Sequence, residues 1–84
     1  MLNNSQRKIL NATIDNIGKN THIKELLQNV AFVEFLTLQS VLFEKYIAIS
    51  QDESVDDEKR LRALELLKLI QSTFNYFENY QTKE

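Results

Sequence analysis

The chain has 84 residues, of which 43% are hydrophobic, and a formal net charge of −2. This length suits a single domain near the lower limit for independent folding, and the hydrophobic content excludes an intrinsically disordered chain. Without cysteine there are no disulfides and no Cys-based zinc site, and the slightly acidic balance argues against a nucleic-acid-binding surface. The chain contains no proline and one glycine, which predicts long helices with few connections.

The first helix is predicted over residues 4–17. Its apolar side chains follow the spacing i, i+4, i+7 and form one narrow stripe: Leu10, Ile14 and Ile17. Asn3 is one of three adjacent residues suited to cap its N-terminus. Gly18 directly follows the last periodic residue, so we expect the helix to end there with a residue at positive φ.

The second helix is predicted over 21–50, with Thr21 as its N-cap. Its weakest point is Gln28–Asn29, because asparagine is a poor helix former. The stretch 30–49 is apolar nearly all round the helix, which is typical of a helix buried on most sides. A strand is not favoured, because the apolar residues do not alternate and no turn residues divide the stretch.

The third helix is predicted over 55–80. Ser54 with Asp57 resembles a capping box in which aspartate replaces the usual glutamate. Two neighbouring apolar stripes run along this helix, the first made of Ala63, Leu67, Ile70, Phe74 and Phe77 and the second of Leu66, Leu69, Thr73, Tyr76 and Tyr80. Residues 81–84 are expected to form a frayed polar tail.

Short connections predict a single domain over 1–84, an up-down-up antiparallel three-helix bundle. Folding back near Asp52 would place Glu44 beside Arg60 and Val30 beside Phe74. Because the first helix is short, we expect it to cover only residues 30–37 of the second.

The uncovered ends of the second and third helices predict a homodimer that associates through these two helices. The residues expected at its interface are Leu42, Phe43, Tyr46, Ile47, Leu61, Leu64, Tyr76 and Tyr80.

No catalytic, metal or cofactor site is predicted. His22 is the only histidine, and it has no ligands at metal-binding spacing. The acidic residues of 52–58 lack the glycine and ligand spacing of a calcium loop, so we interpret them as a solvated helix start. Glu34 and Glu44 lie about 15 Å apart along a helix, too far to share a site, and Glu44 is expected to pair with Arg60 or Arg62.

We therefore expect a non-enzymatic regulator, inhibitor or adaptor that acts by protein–protein interaction with an as yet unidentified protein. The alternative is a nucleic-acid-associated regulator that presents Arg7, Lys8, Lys59, Arg60 and Arg62. A weaker third option, an immunity-type protein at a membrane surface, lacks the cationic amphipathic helix that it would need.

The protein is expected to be cytoplasmic and bacterial or phage-encoded. The N-terminal residues lack the basic and then apolar pattern of a signal peptide, and Glu34, Glu44 and Lys45 interrupt the apolar stretch that could otherwise span a membrane. The composition resembles that of small proteins from AT-rich bacterial genomes, plasmids and phages.

Overall fold

The computed structural model describes residues 2–81, within which the fold is entirely helical. Helix α1 spans Asn4–Gly18, a short 3-10 helix spans Lys24–Gln28, α2 spans Val30–Gln51 and α3 spans Asp57–Glu78. The predicted all-helical class with three α-helices and no strand is confirmed for this part of the chain. Of the predicted tail, 82–84 lies outside the described residues.

Helix α1 begins with a complete capping box. The Asn3 side chain accepts a hydrogen bond from the Gln6 N–H at 2.8 Å, and the Gln6 side chain accepts one from the Asn3 N–H at 3.0 Å. At the other end, the expected positive φ at Gly18 is wrong. The chain continues in right-handed geometry through Lys19, whose N–H bonds to carbonyls of the last turn. Packing is close at this point, since a Cβ on Gly18 would lie 3.4 Å from the Leu27 side chain.

The second predicted helix is divided in two, and its expected start at Thr21 is wrong. Thr21 lies in a turn that leads into the 3-10 helix. Asn29 is extended, with φ −86° and ψ 119°, and its side chain accepts a hydrogen bond from the Phe32 N–H at 3.1 Å. Asparagine is more stable as an N-cap than inside a helix, so the break falls at the weakest point of the sequence.

The connection to α3 is longer than expected, and the N-cap is Asp56 rather than Ser54. The Asp56 side chain accepts a hydrogen bond from the Lys59 N–H at 2.9 Å. Ser54 donates both its hydroxyl and its backbone N–H to Asp52 Oδ1, at 2.6 and 2.9 Å. These two hydrogen bonds, the hydroxyl one first, hold the pKa of Asp52 below its ordinary value. The capping box predicted at Ser54 is therefore replaced by a turn around Asp52.

The hydrophobic core draws on every helical segment. All three pairs of α-helices are in contact, and the 3-10 helix packs against α1 and α2. Leucine, isoleucine and phenylalanine side chains fill the centre, where the buried members of the main cluster are Ile17, Ile23, Leu36, Ile70 and Phe74.

Contacts between α2 and α3 define their register. The rings of Phe32 and Phe77 meet edge to face with centroids 5.1 Å apart, and Arg60 Nε donates to the Ser50 carbonyl at 3.3 Å. The expected pairing of Glu44 with Arg60 is therefore wrong. The connection occupies 52–56 instead of turning sharply at Asp52. Each residue of α2 therefore lies opposite a position of α3 that is more than one helical turn away from the predicted position.

On its other side, α2 contacts α1. The Gln6 amide donates to Glu44 Oε2 at 3.4 Å, so the partner of Glu44 comes from α1. The predicted neighbours Val30 and Phe74 are also apart. Val30 is 72% exposed, and the Phe74 ring lies 6.3 Å from that of Phe43.

Candidate protein-interaction surface

Helix α2 carries an apolar stripe that the rest of the chain leaves partly uncovered. Its residues recur at the helical spacings 3, 4, 4 and 3: Phe35, Leu38, Leu42, Tyr46 and Ile49. Phe35 is 37% exposed and Leu38 56%. The other three are half-buried. The exposed part of this stripe therefore lies in the first half of α2.

A second apolar stripe on α3 runs beside the first. It consists of residues at spacings 3, 4 and 3: Leu66, Leu69, Thr73 and Tyr76. Leu69 is 65% exposed and Tyr76 is 62% exposed. A cavity of about 190 Å³ that Tyr46, Ile49 and Leu66 help to line joins the two stripes. The antiparallel register then places Leu38 and Leu69 on neighbouring turns of the two helices.

Helix α1 packs on the opposite side of α2. Glu44, which contacts Gln6 of α1, lies two positions from both Leu42 and Tyr46. At about 100° per residue, this spacing puts it on the far side of the helix from the stripe. Ser40 lies two positions from Leu38 and Leu42 and is fully buried. The two stripes thus form one surface that α1 does not cover, called here the open face.

Charged side chains occur at the margin of the open face. Glu34 and Lys45 lie along the outer edge of α2 and Glu65 lies along the outer edge of α3, whereas Arg62 continues the α3 stripe one turn before Leu66 and lines the cavity between the two stripes; all four are exposed. An apolar centre with a polar rim is the usual anatomy of a protein–protein interface.

The residues predicted from sequence for an interface are distributed over several surfaces. Leu42, Tyr46 and Tyr76 belong to the open face. Tyr80 is half-buried beyond the end of the open face. Its ring centroid lies 5.9 Å from that of Tyr76. Phe43 is half-buried beside Phe74. The geometry brings these aromatic residues to the α2–α3 hairpin without placing them all on one side.

The other predicted residues lie away from the open face. Ile47 is half-buried and lies two positions from Ile49, so it is on the far side of α2. Leu61 and Leu64 are 62% and 43% exposed. They line a separate cavity of about 370 Å³ with Ser50 and Arg60.

Sequence reasoning missed six of the nine members of the open face: Phe35, Leu38, Ile49, Leu66, Leu69 and Thr73. We expected α1 and the end of α3 to cover residues 30–37, yet Val30 and Phe35 are exposed. The spacing of Leu38 with Leu42 and Ile49 was a signal that could have found the α2 stripe. That spacing alone does not show which side of α2 the first helix leaves uncovered.

The acidic segment and the histidine have local structural roles. Asp57 and Glu58 lie 3.6 and 4.0 Å from Arg60 and Arg62 in exposed ion pairs, which contribute little to stability. Within residues 2–81, no group of three His, Cys, Asp or Glu side chains is arranged to hold a metal ion. His22 is exposed, and its backbone N–H donates to the side-chain oxygen of Asn20.

Comparison of this chain with protein-family models, with curated proteins and with solved structures gives no match. In the part of the chain that the structure describes, no helix combines the length and apolarity needed to cross a membrane.

Proposed function

We propose that this protein works without catalysis, as a regulator, inhibitor or adaptor that binds protein through the open face, and that the open face first binds a second copy of the same chain. The observation that carries the proposal is the pair of adjacent apolar stripes on α2 and α3, exposed on the side opposite α1. The inventory of side chains supports a non-catalytic role, since the chain has one histidine and no cysteine.

The size of the apolar patch supports association. Four of its residues, Phe35, Leu38, Leu69 and Tyr76, are each more than one third exposed. Together they expose on the order of 400 Å², within the range of functional patches on small proteins. Burying this area on two chains at about 25 cal/mol per Å² gives a gross gain on the order of 20 kcal/mol. The affinity is what remains of this gain after the cost of about 4–15 kcal/mol for bringing two molecules together and the cost of ordering the interface side chains.

The charges at the margin favour a second copy as the partner. Glu34 and Lys45 lie on the same edge of α2, on either side of Leu38 and Leu42. If the α2 helices of two chains cross antiparallel about a two-fold axis that passes midway between Leu38 and Leu42, Glu34 faces Lys45 of the partner subunit. The two-fold axis repeats this pair. Opposite charges at matched positions suit self-association.

The proposed assembly is a four-helix contact between two α2–α3 hairpins, with each α1 on the outside. Short connections and the α2–α3 register support an up-down-up bundle within each chain. The apolar character of α2 on nearly all sides follows from this arrangement, because α1, α3 and the second chain each take one side of it.

Sedimentation velocity at micromolar concentration tests the proposed dimer. The wild-type chain is expected to sediment as a dimer, and Leu38→Glu or Leu69→Glu as a monomer, because each places a charge in the centre of the interface. The matched control is Leu64→Glu, a comparably exposed leucine on the far side of α3, which should remain dimeric. A monomeric wild-type chain would overturn the proposal.

A charge exchange tests the two-fold arrangement. Lys45→Glu should weaken the dimer several-fold, because it puts two carboxylates together at each end of the α2–α2 contact. Adding Glu34→Lys should restore most of the lost affinity, since the opposite charges are then exchanged. Failure of the double variant to recover would rule out this orientation while leaving the open face as the interface.

A further inference from the structure

A cavity of about 600 Å³ lies between the 3-10 helix and the end of α3. Its volume is in the range of sites that hold small organic molecules. Aromatic side chains form its α3 wall, and Leu26, Glu25 and Asn29 lie on the opposite side. We call it the aromatic cavity. It lies at the end of the open face and shares Tyr76 with it, and its other lining residues take no part in the dimer proposed above.

Three rings meet at steep angles in the α3 wall. The rings of Tyr76 and Phe77 have centroids 5.6 Å apart and planes inclined by 77°. Those of Tyr76 and Tyr80 are 5.9 Å apart and inclined by 62°. Tyr76 is the most accessible of the three rings, since it is 62% exposed while Phe77 and Tyr80 are half-buried. An aromatic face carries negative potential and attracts cations.

The Glu25 carboxylate places a negative charge at the cavity, which has the same sign as the potential at the faces of aromatic rings. Glu25 lines the cavity and is exposed, and the other ionisable side chain at the cavity besides the tyrosines is the His22 imidazole, with no lysine or arginine among the described residues that line it. Leu26, 40% exposed, adds an apolar surface opposite the rings. A suitable ligand therefore combines a positive charge with apolar substituents.

We propose that the aromatic cavity binds an organic cation of the alkylated ammonium class. The rings of Tyr76, Phe77 and Tyr80 would contact its methyl groups, and the Glu25 carboxylate would balance its charge. A methylated ammonium group is preferred over a primary amine, because the methyl groups make the cation weakly hydrated and let it contact ring faces directly. Carboxylates and phosphates are disfavoured by Glu25.

The alkylated ammonium group could belong to a free quaternary amine or to a methylated lysine side chain. Titration of the full chain with choline and with trimethyl-lysine amide, followed by NMR, separates these two sources by affinity. The neutral carbon analogue of choline, 3,3-dimethylbutanol, is the matched control ligand. We expect saturable shifts at Tyr76 and Tyr80 with at least one cation, and binding of the neutral analogue at least about tenfold weaker.

Substitutions of the lining residues test whether the cation binds in the aromatic cavity. Tyr76→Leu and Glu25→Gln should each weaken cation binding by about fivefold or more, whereas Tyr76→Phe, which keeps the ring, should retain it. Glu53→Gln removes an exposed carboxylate in the connection before α3, far from the cavity at the other end of that helix, and should have no effect. Circular dichroism of each variant confirms that the fold is intact.

Two results would overturn the proposal: equal affinity for the cation and its neutral analogue, or no saturable binding of either cation up to about 50 mM. The same titration of Leu38→Glu keeps this test separate from that of the dimer. Binding by the Leu38→Glu monomer supports the cavity whatever the state of the open face.

Discussion

A single asparagine links the connection after α1 to the end of α3. Asn20 Nδ2 lies 3.0, 3.1 and 2.7 Å from the carbonyl oxygens of Phe77, Glu78 and Tyr80. The last carbonyls of a helix have no partner within it, so this amide supplies a donor that the helix cannot. From sequence, Asn20 was only a turn residue, because its acceptors are far away along the chain.

Replacement of Asn20 should therefore destabilise the protein. Asn20→Ala is expected to lower the free energy of unfolding by about 1–3 kcal/mol, because half-buried carbonyls lose their donor. Asn20→Asp should cost more, because a carboxylate would face three carbonyl oxygens. Urea denaturation at neutral pH measures both. Asn16→Ala, an exposed change within α1, should alter the unfolding free energy by less than about 0.5 kcal/mol. Equal stability of Asn20→Ala and the wild type would show that these contacts add nothing.

At the scale of elements, the break between the 3-10 helix and α2 depends on Asn29. The residue ends one segment and caps the next, since its N–H bonds to the Leu26 carbonyl and its side chain accepts from the Phe32 N–H. This break turns the segment carrying Leu26 and Glu25 out of line with α2. The wall of the aromatic cavity therefore exists because α2 begins at Val30 instead of Thr21.

Asn29→Ala tests whether the cap or helix propensity decides this boundary. Loss of the cap should lower the free energy of unfolding by about 0.5–2 kcal/mol. The control is Asn11→Ala, an exposed substitution in the middle of α1. Because alanine is a better helix former than asparagine, the free energy of unfolding of this variant should stay equal or rise slightly. Thermal unfolding of the two variants gives the comparison. A gain of stability in Asn29→Ala would mean that a continuous helix is intrinsically preferred.

At the scale of the whole molecule, the proposed dimer would link stability to association. A chain of 84 residues has a small core, and here it leaves Phe35, Leu38 and Leu69 exposed. In the proposed dimer, burying them against a second chain would add stabilisation that depends on concentration, because a partner that binds only the folded state shifts the folding equilibrium.

The midpoint of thermal unfolding should therefore rise with protein concentration. Between about 1 and 100 μM we expect an increase of several degrees for the wild-type chain. Leu38→Glu should unfold at a lower temperature that does not vary with concentration. Calorimetry at several concentrations measures both. A wild-type midpoint independent of concentration would contradict the linkage.

Much of the fold follows from local sequence signals. Helical periodicity identified the α3 positions that are buried, Ala63, Ile70 and Phe74, and the missing proline and cysteine with the single glycine agree with an all-helical chain. The three adjacent capping candidates at residues 3–5 limited the start of α1 to a few positions, and the structure selects Asn3 as the N-cap. These features are set by residues within one or two turns of each other, so the sequence by itself determined them.

The α2–α3 register and the identity of the open face were decided only by the tertiary structure. The register depends on how many residues the connection consumes, and hydrogen bonds around Asp52 and Asp56 fix that number. The open face depends on which side of α2 receives α1. Because α2 is apolar nearly all round, its own pattern is compatible with burial on any side, and contacts distant in sequence such as Gln6 with Glu44 make the choice.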